Sequence, residues 1–165
     1  MKPVHPLSLL ATWFGCGLAP KAPGTVGTLG ALPVAWVLLH LGGHMTLLIA
    51  LGLVLGFGTW AAHRYGQHSG TADDKRIVVD EVAGMWLVLL VAPATPLAWV
   101  FAFALFRLFD IVKPWPISWC DHTFKNGFGV MLDDMMAAIW AAAIIWVINR
   151  YLAGQIPALQ PLWLG

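Results

Sequence analysis

Residues 79–113 read VDEVAGMWLVLLVAPATPLAWVFAFALFRLFDIVK. Two adjacent acids, Asp80 and Glu81, open an apolar block that closes on Arg107, Asp110 and Lys113. The block 82–109 is too long for one membrane crossing, which takes about 20 residues. Pro93-Ala94-Thr95-Pro96 breaks it with a turn signal. The stretch therefore predicts a helical hairpin, 80–92 and 97–112, with charged groups at the end where the hairpin opens.

The same pattern continues on either side. Apolar runs predict helices over 25–41, with Pro33 near its start, over 45–62, bounded by Gly42-Gly43 and His63-Arg64, and over 132–151. Strand signals are weak, and no repeat, linker or low-complexity segment divides the chain. The expectation is one all-α domain over 1–165, with its motifs within about 14–151. It is a compact multi-helix membrane bundle of about five long hydrophobic helices joined by short polar loops. Some of these helices are short enough to lie partly in the interface.

Composition supports that class. Of 165 residues, 59 % are apolar and 10 % charged, against about 25 % charged in soluble domains. Ten Trp suit the membrane–water interface. A net charge of +1 and the lack of a basic tail or stripe exclude nucleic acid as a partner. Cys16 and Cys120 have no metal-binding spacing and read as free thiols in a reducing compartment. Lys2 and the short apolar run 7–13 lack a cleavage site, so they do not make a signal peptide.

All eight acids lie between Asp73 and Asp134. Five alternating crossings put them on one side, together with Lys2, Lys21, Arg64, Lys75, Arg76, Lys113 and Lys125, and Arg107 one turn inside. The opposite loops, 42–44 and 93–96, carry no Lys or Arg, and only Arg150 lies beyond them. The positive-inside rule makes the charged face cytoplasmic.

Four motifs on that face carry chemistry. Pro23-Gly24-Thr25-Val26-Gly27-Thr28-Leu29-Gly30 stands at a helix start, where free N–H groups attract anions and glycines allow close approach. It reads either as a phosphate cradle, using Gly24, Thr25, Gly27 and Thr28, or as small residues for tight helix packing. Asp80 and Glu81 are either helix-dipole acids or a costly functional pair at the edge of an apolar span. Arg107, Asp110 and Lys113, at i, i+3 and i+6, share roughly one helix face. Arg suits bidentate phosphate binding, Lys a point charge, and Asp a metal. Gly127-Phe128-Gly129 precedes Asp133-Asp134, expected in the first turn of the last helix. Magnesium takes oxygen ligands, usually one or two carboxylates plus phosphate and water. His63, His68 and His122 read as loop histidines, Asp121 as a doubtful site residue, and Asp73 and Asp74 as solvated acids. Trp115, Trp119 and Phe124 are expected at headgroup level, and His40 and His44 read as structural.

Five blocks, in order over about 14–138, resemble the phosphatidylglycerophosphatase A family. They are Phe14-Gly15-Cys16-Gly17-Leu18-Ala19-Pro20, Pro23 to Thr28, Val79-Asp80-Glu81 with Gly84-Met85-Trp86, Phe106-Arg107-Leu108-Phe109-Asp110 with Lys113-Pro114-Trp115-Pro116, and Gly127 to Met131 with Asp133-Asp134. The resemblance implies magnesium-dependent hydrolysis of phosphatidylglycerophosphate to phosphatidylglycerol and phosphate in the bacterial inner membrane. This is the last step of phosphatidylglycerol synthesis. Asp80, Asp110, Asp133 and Asp134 are then candidate magnesium ligands, Glu81 a base or a partner to one, and Arg107 and Lys113 the cations for phosphate. An aspartyl-phosphate route lacks its Asp-x-Asp-x-Thr pattern. Two alternatives belong to other classes. A small ion-coupled transporter subunit needs acids along a path across the membrane. A non-catalytic assembly factor tolerates loss of Asp110.

Overall fold

A computed structural model describes residues 5–71, 74–123 and 127–152, with the side chains of Asp121, His122 and Leu152 left out. Asp73, Phe124, Lys2 and Lys125, placed above on the charged face, lie outside the described residues.

Proline sets several helix starts. Pro6 begins α1 (Pro6–Ala11), Pro23 begins α2 (Pro23–Leu53) and Pro96 begins α5 (Pro96–Val112). Its fixed φ and missing N–H suit the first turn. Thr95 caps α5 by accepting from the Ala98 N–H at 3.3 Å. A 3-10 turn, Cys16–Leu18, separates α1 from α2. A π-turn, Val54–Gly58, leads from α2 into α3 (Thr59–Ser69). Then come α4 (Val79–Leu89), α6 (Ile117–Thr123) after α5, and α7 (Gly127–Leu152). The all-α expectation holds: no strand occurs among the described residues.

The long stretch from Pro23 to Ser69 is a hairpin. Gly42 and Gly43 leave helical geometry, and Gly43 has φ +65°, which glycine adopts without strain. Both limbs return to one place. A Cβ on Gly27 would lie 2.6 Å from the Val78 Cβ, and one on Gly58 would lie 2.9 Å from a Val79 methyl. A straight helix would hold positions 27 and 58 about 46 Å apart at 1.5 Å per residue.

The number of long membrane helices needs correction. Two stretches among the described residues are long and apolar enough to cross, Pro23–Ser69 and Gly127–Tyr151, not about five. The hairpin 80–92/97–112 forms where predicted, but α4 has only 11 residues and α5 has 17. At 1.5 Å per residue α4 rises about 16 Å, roughly half of a 30 Å hydrocarbon core.

Short α4 is the centre of the bundle. Val79, Val82, Met85, Val88 and Leu89 have no exposed surface. Ala31 and Ala35 of α2 and Ala137, Ala138 and Ala141 of α7 are equally enclosed, and α2 and α7 are the helices that pack most on α4. Small side chains let these backbones approach closely. The Trp86 indole donates to the Ala31 carbonyl at 3.0 Å, and the Trp13 indole donates to Gly30 at 3.1 Å. Asn149 of α7 donates to the Val91 carbonyl at 2.9 Å, closing the end away from the acids. The outer surface is apolar: Trp36, Leu41, Ile49, Phe57, Val100 and Trp146 are each more than half exposed. A water-facing surface of that kind is an association hazard, whereas lipid solvates it.

Candidate active site

The site forms where the first turns of α2 and α4 meet the last turns of α5 and the second turn of α7. Asp80 and Glu81 sit in the first turn of α4, as expected. Asp133 and Asp134 do not open α7. The helix starts at Gly127, so both acids lie about two turns inside and cap nothing. The start shifts because Gly127 packs against the His63 backbone, leaving 2.7 Å for any Cβ. That contact seats α7 one turn earlier than hydropathy suggests.

Asp80, Glu81 and Asp134 each offer an oxygen within 4.8 Å of the others. Asp80, Asp133 and Asp134 are buried, and the carboxylate charges of Asp110, Asp80 and Asp133 all act on Asp134. Two cations face the acids. Arg107 Nη1 pairs with Asp110 Oδ2 and stands 3.7 Å from Glu81 Oε1. Lys113 Nζ pairs with Asp133 Oδ2 across to α7. Lys113 ends α5 in the left-handed conformation. The geometry thus joins Asp80, Glu81, Arg107, Asp110, Lys113, Asp133 and Asp134, which come from three helices.

Some polar atoms there are unsatisfied. Glu81 Oε2, Asp134 Oδ2 and Arg107 Nε are buried with no hydrogen-bond partner. A buried acceptor without a donor costs about 1–3 kcal/mol, and more for a charged group. Burial pushes Asp80 well above the usual carboxylate range, reinforced by the Glu81 charge. Burial and then the Asp134 charge raise Glu81 to about 8. Carboxylates crowded in this way take up a proton or a cation, and an all-oxygen donor set fits a hard divalent ion such as magnesium.

The glycine-rich segment divides. Gly24 belongs to the site: a Cβ there would lie 2.1 Å from Glu81 Oε1 and 3.3 Å from Arg107 Nη1. Thr25 follows it in the same first turn, half-buried. Gly27 packs on Val78, and the Thr28 hydroxyl donates to the Gly24 carbonyl at 2.8 Å inside the helix. These two hold the helix and the loop rather than facing the charged groups.

Asp74 is more than a solvated acid. Its carboxylate accepts from the Arg76 N–H at 3.0 Å, Nε at 2.9 Å and Nη2 at 2.6 Å. The Arg76 guanidinium holds the Asp74 carboxyl at about 2, below the usual range. Arg76 also lies 5.6 Å from the Tyr65 ring centre, and a Cβ on Gly17 would meet the Arg76 carbonyl at 2.0 Å. The Val78 N–H donates to the Ala11 carbonyl at 2.9 Å. Together these contacts fix the loop that delivers Asp80 and Glu81. The signal for this was present as an Asp two residues before an Arg, a side chain able to bond its own backbone two residues on.

The histidines on α3 bond within that helix, His63 to Gln67 at 3.1 Å and His68 to the Arg64 carbonyl at 3.1 Å. Cys16 and Cys120 are free thiols, as expected. The acids whose side chains are described all lie at one end of the bundle and form no path along it.

The sequence profile of the family described as Phosphatidylglycerophosphatase A matches residues 9–149. Phosphatidylglycerophosphatase A of Escherichia coli (strain K12) is 37 % identical over 153 residues, 92 % of this chain and 88 % of its own. The protein of that name from Haemophilus influenzae is 39 % identical over 150 residues, 90 % of this chain and 92 % of its own. A Bacteroides thetaiotaomicron protein, provisionally named a phosphatidylinositol-3-phosphatase, is 40 % identical over 154 residues, 86 % of this chain and 94 % of its own. No solved structure matches the chain. Spanning nearly the whole bundle, including Asp80, Glu81, Arg107, Asp110, Lys113, Asp133 and Asp134, the match makes this chain a member of the phosphatidylglycerophosphatase A family.

Proposed function

We propose that the protein is a membrane phosphatase that hydrolyses phosphatidylglycerophosphate to phosphatidylglycerol and inorganic phosphate, using magnesium. One observation carries the reading: buried Asp80 and Asp134 and half-buried Glu81 stand together at the end of a bundle whose sides are apolar, with Arg107 beside Glu81. That combination suits a doubly charged phosphomonoester attached to a lipid. The names of the two phosphatidylglycerophosphatase A relatives supply the substrate. Six cationic side chains among the described residues, Lys21, Arg64, Lys75, Arg76, Arg107 and Lys113, belong to this end, which supports a cytoplasmic orientation in a bacterial inner membrane.

Asp80, Glu81 and Asp134 would hold the magnesium, with Asp110 and Asp133 beside them. When bound, the ion supplies positive charge against the phosphoryl oxygens. The chain's own groups do the rest. Arg107 and Lys113 bind phosphate oxygens, exchanging part of their pairing with Asp110 and Asp133 for the substrate. Arg107 Nε, which lacks a partner, is a free donor for that role. Backbone N–H groups at the start of α2 add donors, and Gly24 lets them approach. A water attacks phosphorus while Glu81 takes its proton on a carboxylate oxygen. The bond from phosphorus to the glycerol oxygen breaks, that oxygen takes a proton from solvent to become the hydroxyl of phosphatidylglycerol, and Glu81 returns its proton to solvent. Positive charge fixed in advance around the transferring group is what lowers the barrier.

The test is phosphate release from phosphatidylglycerophosphate by the purified full chain. Release with magnesium that stops on chelation and returns on readdition is expected. Well-folded protein that releases no phosphate with magnesium refutes the reading.

A further inference from the structure

The block Phe14 to Pro20 carries part of the family resemblance, yet the chemistry above draws on none of its side chains. Its backbone is strained. Trp13, Phe14 and Gly15 follow one another at φ +46°, +55° and +95°. Residues with a Cβ enter the left-handed region at a cost, and they stay there only where the surroundings impose it. Hydrogen bonds hold this turn. The Phe14 N–H donates to the Leu9 carbonyl at 2.6 Å, and the Gly17 N–H donates to the Thr12 carbonyl at 2.9 Å.

The turn grips both walls of the site. Toward α2, the buried Trp13 indole donates to the Gly30 carbonyl at 3.1 Å, and a Cβ on Gly30 would lie 2.9 Å from Cys16 Sγ. Toward α4, the Ala11 carbonyl accepts from the Val78 N–H at 2.9 Å, and a Cβ on Gly17 would lie 2.0 Å from the Arg76 carbonyl oxygen. The Trp13 ring meets the Trp86 ring edge-on, with centroids 5.4 Å apart. Trp86 donates to Ala31, so two packed indoles hold consecutive carbonyls of α2. Gly30 is six residues from Gly24, about 9 Å along α2, and Val78 is three residues from Glu81, about 4.5 Å along α4. Close-packed helices pass a displacement on over such lengths.

We infer that the Trp13–Gly17 turn is the spacer that sets the separation between the first turns of α2 and α4. Trp13 and Gly17 are then positioning residues for Asp80 and Glu81. The clearance they set has no slack, since a Cβ on Gly24 would lie only 2.1 Å from Glu81 Oε1. A wider separation frees the Glu81 carboxylate to turn from Asp80 and Asp134, the other two acids of the candidate magnesium site. The inference rests on the lipid-phosphatase reading and adds to it two residues that act only through α2 and α4. Outer supports of a metal site are worth about 10–100-fold in metal affinity or activity.

The experiment compares the full chain as wild type, Trp13→Phe, Gly17→Ala and Asn149→Ala. Trp13→Phe keeps a ring against Trp86 and loses the donor to Gly30. Asn149→Ala loses a donor of the same kind, to the Val91 carbonyl, at the end away from the acids. Gly17→Ala presses on the Arg76 backbone; carbon and oxygen keep about 3 Å apart, so one of the two segments moves by about 1 Å. Two quantities are read beside the melting temperature. One is the magnesium Kd from titration calorimetry without lipid. The other is kcat for phosphate release from phosphatidylglycerophosphate at saturating lipid and magnesium. Trp13→Phe, the milder change, decides the question: its Kd should rise about tenfold and its kcat fall about tenfold. Gly17→Ala should lower kcat about 100-fold. Asn149→Ala should lower the melting temperature as Trp13→Phe does, with Kd and kcat within about twofold of wild type. Trp13→Phe with Kd and kcat both within about twofold of wild type overturns the spacer while leaving the phosphatase reading intact. Equal losses in Asn149→Ala trace to general stability and overturn it as well. A wild type that releases no phosphate overturns both.

Discussion

Gly24→Ala separates chemistry from stability more sharply than any charge removal. The added Cβ would stand 2.1 Å from Glu81 Oε1 and 3.3 Å from Arg107 Nη1. A carbon–oxygen contact needs about 3.2 Å, so the carboxylate must retreat by about 1 Å. Glu81 can do so cheaply, because the clash is with the tip of a side chain and not with backbone. The same movement takes Glu81 out of line with the cations and with Asp134. Misplacing a catalytic group by 1 Å costs on the order of 100-fold in rate, or about 2.7 kcal/mol at 1.36 kcal/mol per decade. Stability moves little, since alanine in place of a helical glycine gains up to about 1 kcal/mol. The assay is kcat at saturating lipid and magnesium, beside thermal unfolding of the same preparation. The expected pattern is kcat down about 100-fold with the melting temperature within a few degrees of wild type. Gly52→Ala is the control: its Cβ would meet nothing within 4 Å, so activity stays normal. Gly24→Ala with activity within about threefold of wild type refutes the claim that α2 presses on the catalytic carboxylate.

Three further outcomes follow from the same geometry. Asp134→Asn and Glu81→Gln should each lower phosphate release by at least about 100-fold and abolish the rise in melting temperature that magnesium gives the wild type, because each removes a candidate ligand oxygen. The Asp74 carboxyl is held at about 2 against 3.8 for the free side chain. A depressed folded value means stability present above about pH 4 and lost as pH falls toward 2. The melting-temperature gap between wild type and Asp74→Asn should therefore be constant at neutral pH and close across that window. Gly84→Ala should destabilise the bundle by about 1–3 kcal/mol in denaturant unfolding, since its Cβ would lie 2.6 Å from the ring of fully buried Phe106.

The helix plan was legible because apolar runs and their breakers are local features. Pro93 to Pro96 and Gly42-Gly43 mark the two turns; α4 and α5 fall within three residues of the expected ends, while the limb expected to stop at 62 continues to Ser69. Helix length across a membrane was less legible. Hydropathy treats α4 as a span, whereas enclosure by α2, α5 and α7 accounts for its apolar side chains equally well. The charged residues of the site could be read from their placement at the edges of apolar runs, where a lone charge is expensive. Their pairing could not, because it depends on three helices meeting. Arg107 therefore pairs with Asp110 and approaches Glu81, while Lys113 crosses to Asp133. The split within Pro23 to Gly30 was likewise hidden: Gly24 meets the carboxylate and Gly27 meets Val78 only once the α2 first turn lies against the start of α4.

The shortness and burial of α4 also constrain how the protein is made. An 11-residue segment opened by two acids is a poor candidate for insertion into a bilayer on its own. It gains shelter from α2, already synthesised, and above all from α7, which leaves the ribosome after the other described helices and packs most extensively on it. Until α7 arrives, Asp80 and Glu81 have neither Asp134 beside them nor a completed wall behind them. Chains that stop before Gly127 should therefore be cleared by membrane quality control, while α7 supplied as a separate polypeptide should restore them.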